Sequence, residues 1–324
     1  MSFLNDIRTH KTTLNDLAQE YKKTFFSFIL DSVLCRVIHG ATVQDYLGLS
    51  MYKLSFAERK RVVTQYRSER IEKLFNTGND KEKAVIGNKE TFNRVFGDFV
   101  CRKWIYAPDS TEQEIEVFLR ENPSVIVKPL SCSKGEGVRK EYSQEILNTK
   151  KEQFIREAYE NKLLIEACIV QHPVLSDVNP SSVNTIRICT ARDRQGTVHL
   201  IGASLRAGCE GMITDNLHAG GVQYPIDIES GCIIGGGVTW SGEKRIFFHP
   251  FTQKKMIGLV IPYWDEIKDT VKRAGGLPHN MRYLGWDIAV TPSGCEIIEA
   301  NYGQGNNGMQ LDGVGKYYRI MRYY

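Results

Sequence analysis

GWDIAVTPSGCEIIEAN, residues 285–301, reads as a β-hairpin whose two arms set acids face to face. Residues 286–291 and 295–300 have strand composition, and Pro292-Ser293-Gly294 between them has the turn chemistry of a short hairpin loop. With the turn centred on Ser293, Asp287 falls directly opposite Glu299. Side chains alternate faces with period two, so Asp287, Glu299 and Asn301 project from one face, and Gly285 opposite Asn301 leaves space there. Two acids opposed across strands repel. A hard divalent cation between them reverses the sign, since Mg²⁺ takes one or two carboxylates and leaves its other positions to waters and substrate phosphates. The hairpin is therefore read as a nucleotide-linked Mg²⁺ (or Mn²⁺) site. Ile288, Val290, Ile297 and Ile298 require at least one buried face, which sets it apart from a solvated surface hairpin.

The 324 residues are enough to bury a core and to form two or three lobes. A formal net charge of +4 does not imply a nucleic acid partner, and the basic run from Arg59 to Arg70 reads as the solvated face of a helix. The eight cysteines are scattered without a CxxC pair, a Cys/His cluster or a signal peptide before them, which predicts reduced thiols in the cytoplasm. The most apolar segment, 24–38, is interrupted by Asp31 and Arg36 and falls short of the roughly 20 residues of a spanning helix. It reads as a core or interface helix, with membrane-surface docking as the weaker alternative.

Residues 1–78 form a helical leader. Leu14, Leu17, Tyr21, Phe25, Phe28, Ile29, Val33 and Val37 recur at helical spacing, and a capping box at Ser55 opens a second helix running to about Phe75. Residues 76–80 are a loop and a boundary. From Lys83 strands and helices alternate. In SVIVKPLSCSKGEGV, 124–138, a short buried strand delivers Lys128, Pro129 ends it, and a Ser/Gly loop follows that can lay amides and hydroxyls along a phosphate chain. The pattern is neither a P-loop nor a dinucleotide fingerprint. Residues 162–170, KLLIEACIV, are a strand running through Glu166 into a linker able to present backbone groups to a purine edge.

Strands 183–191 and 198–207 are joined by a turn at 193–196. Any register centred there brings Arg187 and Arg206 onto one face, opposite or one step diagonal. Paired guanidiniums imply an anion between them, such as a transferring phosphoryl group or a substrate carboxylate. Loop 215–221 could close on that anion, with His218 as a further donor. Gly235-Gly236-Gly237 marks a tight turn, and 250–274 reads as a helix after a loop.

The order of these parts resembles the ATP-grasp fold: IGNKETF, VIVKPLSCSKGEGV, LLIEACI, NTIRICT with DNLHAGG, and D…E-x-N on a hairpin, over about residues 83–310. HGATVQDYLGLSMYKLSFAERK and NPSSVNTIRICTA are similar to the sugar-transfer associated ATP-grasp group, often linked to surface polysaccharide synthesis. The resemblance implies an α+β fold of two lobes clasping ATP, at 79–168 and 169–324, behind the leader. It implies that Lys89 and Lys128 contact the phosphates and that Ser131, Ser133, Gly135, Gly137 and Val138 cover them. Glu166, Ala167 and Ile169 would hold adenine and ribose. Arg187, Arg206, Asn216 and His218 would serve the γ-phosphate and acyl substrate, and Asp287, Glu299 and Asn301 the metal. Two departures stand out. Glu136 puts an acid in the phosphate loop, to point outward or pair with a lysine such as Lys134, and helices replace the βαβ domain that usually precedes the module.

The implied chemistry is an ATP-dependent carboxylate–amine ligation through an acylphosphate, on small-molecule or glycan-linked substrates. A phosphotransferase acting on a sugar-like hydroxyl would use the same nucleotide half, and a non-catalytic nucleotide-binding module is the third alternative. Retention of Lys89, Lys128, Asp287, Glu299 and Asn301 argues against the last. Cys132 in the loop has no base beside it and reads as an inert thiol.

Overall fold

The computed structural model describes residues 7–130, 137–217, 220–240, 245–303, 305 and 307–324. The leader's apolar stripe is divided between two helices. Lys11–Glu20 (α1) and Phe25–His39 (α2) are separated by a turn in which Lys22 takes a φ of 51°, and Thr24 caps α2 by accepting the Ser27 amide. Leu14, Leu17, Phe28 and Cys35 meet Val43, Tyr46 and Leu47 of Val43–Gly48 (α3) in one buried cluster. The opposite side of α2 leaves Phe26, Leu30, Leu34, Val37 and Ile38 exposed. Among the described residues no helix is long and apolar enough to cross a membrane.

The capping box at Ser55 forms, but its helix, Phe56–Arg59 (α4), lasts one turn. Arg67 explains the break. From Gln65–Phe75 (α5) its guanidinium donates to the carbonyls of Arg59, Lys60 and Val62, supplying the donors that a continuous helix would have provided from its own backbone. Arg59 in turn forks onto Asp31 at 2.6 and 2.8 Å. These two arginines are structural, which corrects the expectation of a solvated basic face.

Asp80–Gly87 (α6) and Lys89–Val95 (α7) follow, each started by an asparagine whose side chain accepts two amides. The first sheet is antiparallel, in the order β1-β4-β2-β3, from Trp104–Tyr106 (β1), Ser124–Lys128 (β2), Arg139–Tyr142 (β3) and Leu164–Ala167 (β4). Glu112–Glu121 (α8) and Lys151–Glu160 (α9) bury Ile115, Leu119, Phe154 and Ala158 against Val125, Val127 and Ile165. By alternation, Ile126 and Lys128 leave β2 on the opposite face.

The second sheet, order β7-β6-β5-β8-β9, comprises Thr185–Arg192 (β5), Val198–Ala207 (β6), Val222–Ile226 (β7), Tyr283–Thr291 (β8) and Gly294–Asn301 (β9). One face packs Ile186, Ile188, Leu205, Ile288, Val290 and Ile297 on Trp264–Gly275 (α10), through Ile267, Val271 and Ala274. This helix starts later than the expected residue 250, and 245–263 is irregular. Phe92 and Phe96 of α7 join the same core, Phe96 edge-on to Trp286. The other face is divided. At one end Cys189, Ala191 and Tyr283 lie under Val63, Ile71 and Phe75 of the leader and under Met309 and Ile320. The other end is polar and carries Arg187, Arg206, Asp287 and Glu299. Near the C-terminal end Arg67 stacks on the Tyr317 ring at 4.7 Å, and Tyr324 lies 5.5 Å from Phe75.

Candidate active site

Asp287 does stand opposite Glu299 and Gly285 opposite Asn301, but the turn differs from the expected one. Thr291 pairs with Gly294, so the loop is the two residues Pro292 and Ser293, and Ile288 pairs with Ile297. Continued unchanged, that register would oppose Asp287 with Ile298 and send Glu299 to the core face. The ladder shifts between Asp287 and Ile288, making Ile298 the extra residue of a β-bulge and returning Glu299 to the polar face. The bulge has a second effect: Glu296, opposite Ala289, now shares that face with Glu299, where strict alternation would have separated them.

The polar face is a compact array of charge. Arg187, opposite Asp287 in the ladder, donates to it from Nε at 2.5 Å and Nη2 at 2.9 Å, and Arg206 Nη1 donates at 3.0 Å. Arg206 sits one step diagonal from Arg187, since Arg187 faces Ser204 and Arg206 faces Thr185. Its Nη2 also meets Asp215 at 3.3 Å. In this structure the anion between the guanidiniums is the protein's own Asp287. Burial by itself would raise the Asp287 carboxyl, but the two arginines outweigh it and hold it below the usual range. Glu299 goes the other way: burial first, then the neighbouring Asp287 charge, push it up. Asn301 Nδ2 reaches Glu299 at 3.3 Å.

Among the described residues no group of three or more His, Cys, Asp or Glu side chains could hold a metal ion. Mg²⁺ does not need one, since two carboxylates with water and phosphate oxygens suffice. A divalent cation between two buried, facing carboxyls would offset their repulsion. The donor set of Asp287, Glu299 and Asn301 fits.

On the first sheet, Lys128 Nζ pairs with Glu166 at 2.5 Å, and Lys89 Nζ donates to the Pro129 carbonyl at 3.3 Å. The two lysines therefore converge where the 131–138 loop begins. Ser131, Ser133 and Gly135 of that loop lie outside the described residues, as does His218. Gly137 takes a φ of +68°, and a Cβ there would come within 2.8 Å of Pro129 Cγ, so only glycine lets the loop's end fold back. Val138 leads into β3. Asn216 accepts the Gly221 amide at 3.1 Å, closing the loop beside Arg206 and Asp215.

Glu166 is not a strand end. Its side chain is 3% exposed and accepts from Lys128, from Asn93 Nδ2 at 2.9 Å and from Arg102 Nη2 at 3.0 Å. The Ala167 amide donates to the Lys103 carbonyl at 2.9 Å, and Ile169 lies beyond the end of the strand. Arg102 is the residue that sequence reasoning missed. From the segment between α7 and β1 it also reaches Glu296 Oε2 at 3.0 Å and the carbonyls of Ile297 and Ile298 at 3.0 and 3.2 Å. Only the unpaired look of Glu166 in an apolar strand hinted that a buried cation must exist somewhere.

Residues 67–320 match the family described as sugar-transfer associated ATP-grasp. No curated protein sequence matches the chain. The solved structures that resemble it include the ATP-grasp ligase PsnB in complex with a phosphomimetic variant of its minimal precursor, Mg and ADP (14% identity, TM-score 0.46), covering 82% of this chain and 68% of PsnB. The L-amino acid ligase from Bacillus licheniformis is 12% identical with a TM-score of 0.45, over 80% of this chain and 53% of that one. Biotin carboxylase from Campylobacter jejuni is 11% identical with a TM-score of 0.48, over 75% and 47%. The chain spans about half the length of the last two.

Proposed function

From the premise that the chain belongs to the sugar-transfer associated ATP-grasp family, we propose that it is an ATP-dependent carboxylate–amine ligase acting on small-molecule or glycan-linked substrates. The observation that carries this reading is the polar face itself. Two arginines, a facing carboxyl pair and Asn301 lie on one sheet, and two lysines converge on the other. Such an array positions and neutralises phosphoryl oxygens, which is most of what phosphoryl transfer asks of a protein.

In the proposed reaction a carboxylate oxygen of the acid substrate attacks the γ-phosphorus of ATP. The bond from that phosphorus to the bridging oxygen breaks, and ADP leaves. The amine then attacks the acyl carbon, phosphate departs and the ammonium proton is lost, giving an amide. Lys89 and Lys128 hold the phosphate chain, Glu166 and Ile169 flank the base, and Arg187 and Arg206 receive the acid and the developing charge. Asp287, Glu299 and Asn301 would hold Mg²⁺, which supplies charge neutralisation on the phosphate oxygens. No covalent nucleophile is required; Cys189, on the same sheet, is buried, and burial pushes its thiol up to about 12. Glycan assembly is the setting that the family description favours.

The test is release of ADP and phosphate from Mg-ATP across amino acids crossed with uronic and nucleotide-sugar acids, with mass spectrometry of each active pair. Condensation with loss of water supports the ligase. A single acceptor that gains a phosphate replaces it with a hydroxyl kinase, and nucleotide binding without turnover replaces it with a binding module.

A further inference from the structure

Arg102 bonds to Glu166 rather than to the phosphate lysine that Glu166 holds, and to the hairpin backbone beside Glu299 rather than to the metal ligands, so it grips the immediate support of both. On one side its Nη2 holds Glu166 Oε1, whose other oxygen holds Lys128. On the other, Nη1 and Nη2 donate to the carbonyls of Ile297 and Ile298, and Nη1 also to Glu296. Ile298 is the bulged residue, and a bulge is a place where the ladder leaves backbone groups unpaired. The planar fork of a guanidinium can serve two carbonyls and two carboxylates at once; an ammonium, with three donors at one point, cannot.

The charges also balance as a unit. Glu166 and Glu296 are matched by Arg102 and Lys128, all four in or near the dry interior. When Lys128 moves to a phosphate, Glu166 still keeps Arg102 and the Asn93 amide, so the lysine can leave without stranding a bare buried carboxylate.

We propose that Arg102 is a positioning residue that ties the phosphate lysine of the first sheet to the bulged metal hairpin of the second, fixing Glu299 opposite Asp287 while allowing Lys128 to leave Glu166. The proposal rests on the nucleotide and metal assignments above. It predicts coupling between two sites on different sheets that share no ligand atom.

The experiment measures Mn²⁺ binding, by paramagnetic resonance, to the full chain with ADP, for the unmodified protein, Arg102→Lys and Glu296→Gln. Circular dichroism and thermal unfolding accompany each sample. Arg102→Lys is expected to stay folded and lose about 10–100-fold in Mn²⁺ affinity, the range for residues that orient metal ligands without touching the ion. Glu296→Gln keeps the volume and one acceptor and should show a smaller loss in the same direction; it carries the test if Arg102→Lys does not fold. Folded variants with lower melting temperatures and unchanged Mn²⁺ and ADP affinities would reduce Arg102 to a structural role and overturn the proposal. An unmodified protein that binds neither ADP nor Mn²⁺ would overturn the site assignment itself, which separates the two failures.

Discussion

Asp287 and Glu299 face each other across β8 and β9 because β9 contains one residue more than its partner needs, Ile298. The consequence is electrostatic. Two buried carboxyls are brought together; Arg187 and Arg206 hold the first below the usual carboxylate range, while burial and the charge of the first push the second up. A divalent cation between them would offset that repulsion.

The two acids should therefore respond differently to substitution. Glu299→Gln removes a buried carboxyl that repels Asp287 and supplies an amide able to donate to it, so stability to urea should change by no more than about 1 kcal/mol. Asp287→Asn takes the carboxylate from Arg187 and leaves Arg206 with Asp215, and should cost roughly 3–5 kcal/mol. Both should abolish ADP formation. Equal destabilisation by the two would contradict the pairing of Asp287 with both arginines, and normal turnover in either would remove it from the metal site.

Glu166 predicts an acid-side dependence. Burial alone would raise its carboxyl, but Arg102 and Lys128 outweigh burial and hold it below the ordinary carboxylate range. A depressed folded value means that the stabilisation is complete above the unfolded value near 4.5 and disappears as pH falls through the folded value. Urea unfolding between about pH 6 and pH 2 should show a steep loss of stability that Glu166→Gln, already destabilised at neutral pH, shows less steeply. Parallel curves for the two proteins would mean that Glu166 is not the titrating group.

Packing makes a prediction remote from the charges. A Cβ on Gly202 would collide with the Met309 carbonyl oxygen and lie 3.0 Å from Met309 Cβ. Gly202→Ala should lower stability by about 1–3 kcal/mol, as overpacking does, by pushing the C-terminal segment off β6. Thermal unfolding measures this, and an unchanged melting temperature would show that the segment yields without strain.

How much of this was legible beforehand depended on whether the signal was local. Period-two alternation and turn residues exposed the hairpin, and the placing of Arg187 and Arg206 on one face followed from a single turn, which left opposite and diagonal registers open; the structure has the diagonal one. The Ser55 capping box was equally plain, but its helix stops at Arg59 because Arg67, eight residues further on, takes over the carbonyls, and no window of propensity contains that bond. The correct Asp287–Glu299 pairing came from a three-residue turn that the structure does not have; a two-residue turn plus a bulge gives the same opposition, and Pro-Ser-Gly suits either. Arg102 carried no signal at all. Its partners are 64 and 194 residues away in sequence, and the need for them appears only when two sheets are brought together.

The central claim is that a substrate carboxylate takes the γ-phosphoryl group of ATP before an amine displaces it. The measurement that tests it most directly is isotope transfer: an active acid labelled with ¹⁸O in its carboxylate is turned over with Mg-ATP and its amine, and the released phosphate is analysed by mass spectrometry. The account predicts one labelled oxygen in each phosphate formed. Phosphate without label, or a label retained entirely in the acid while another group is phosphorylated, would contradict it.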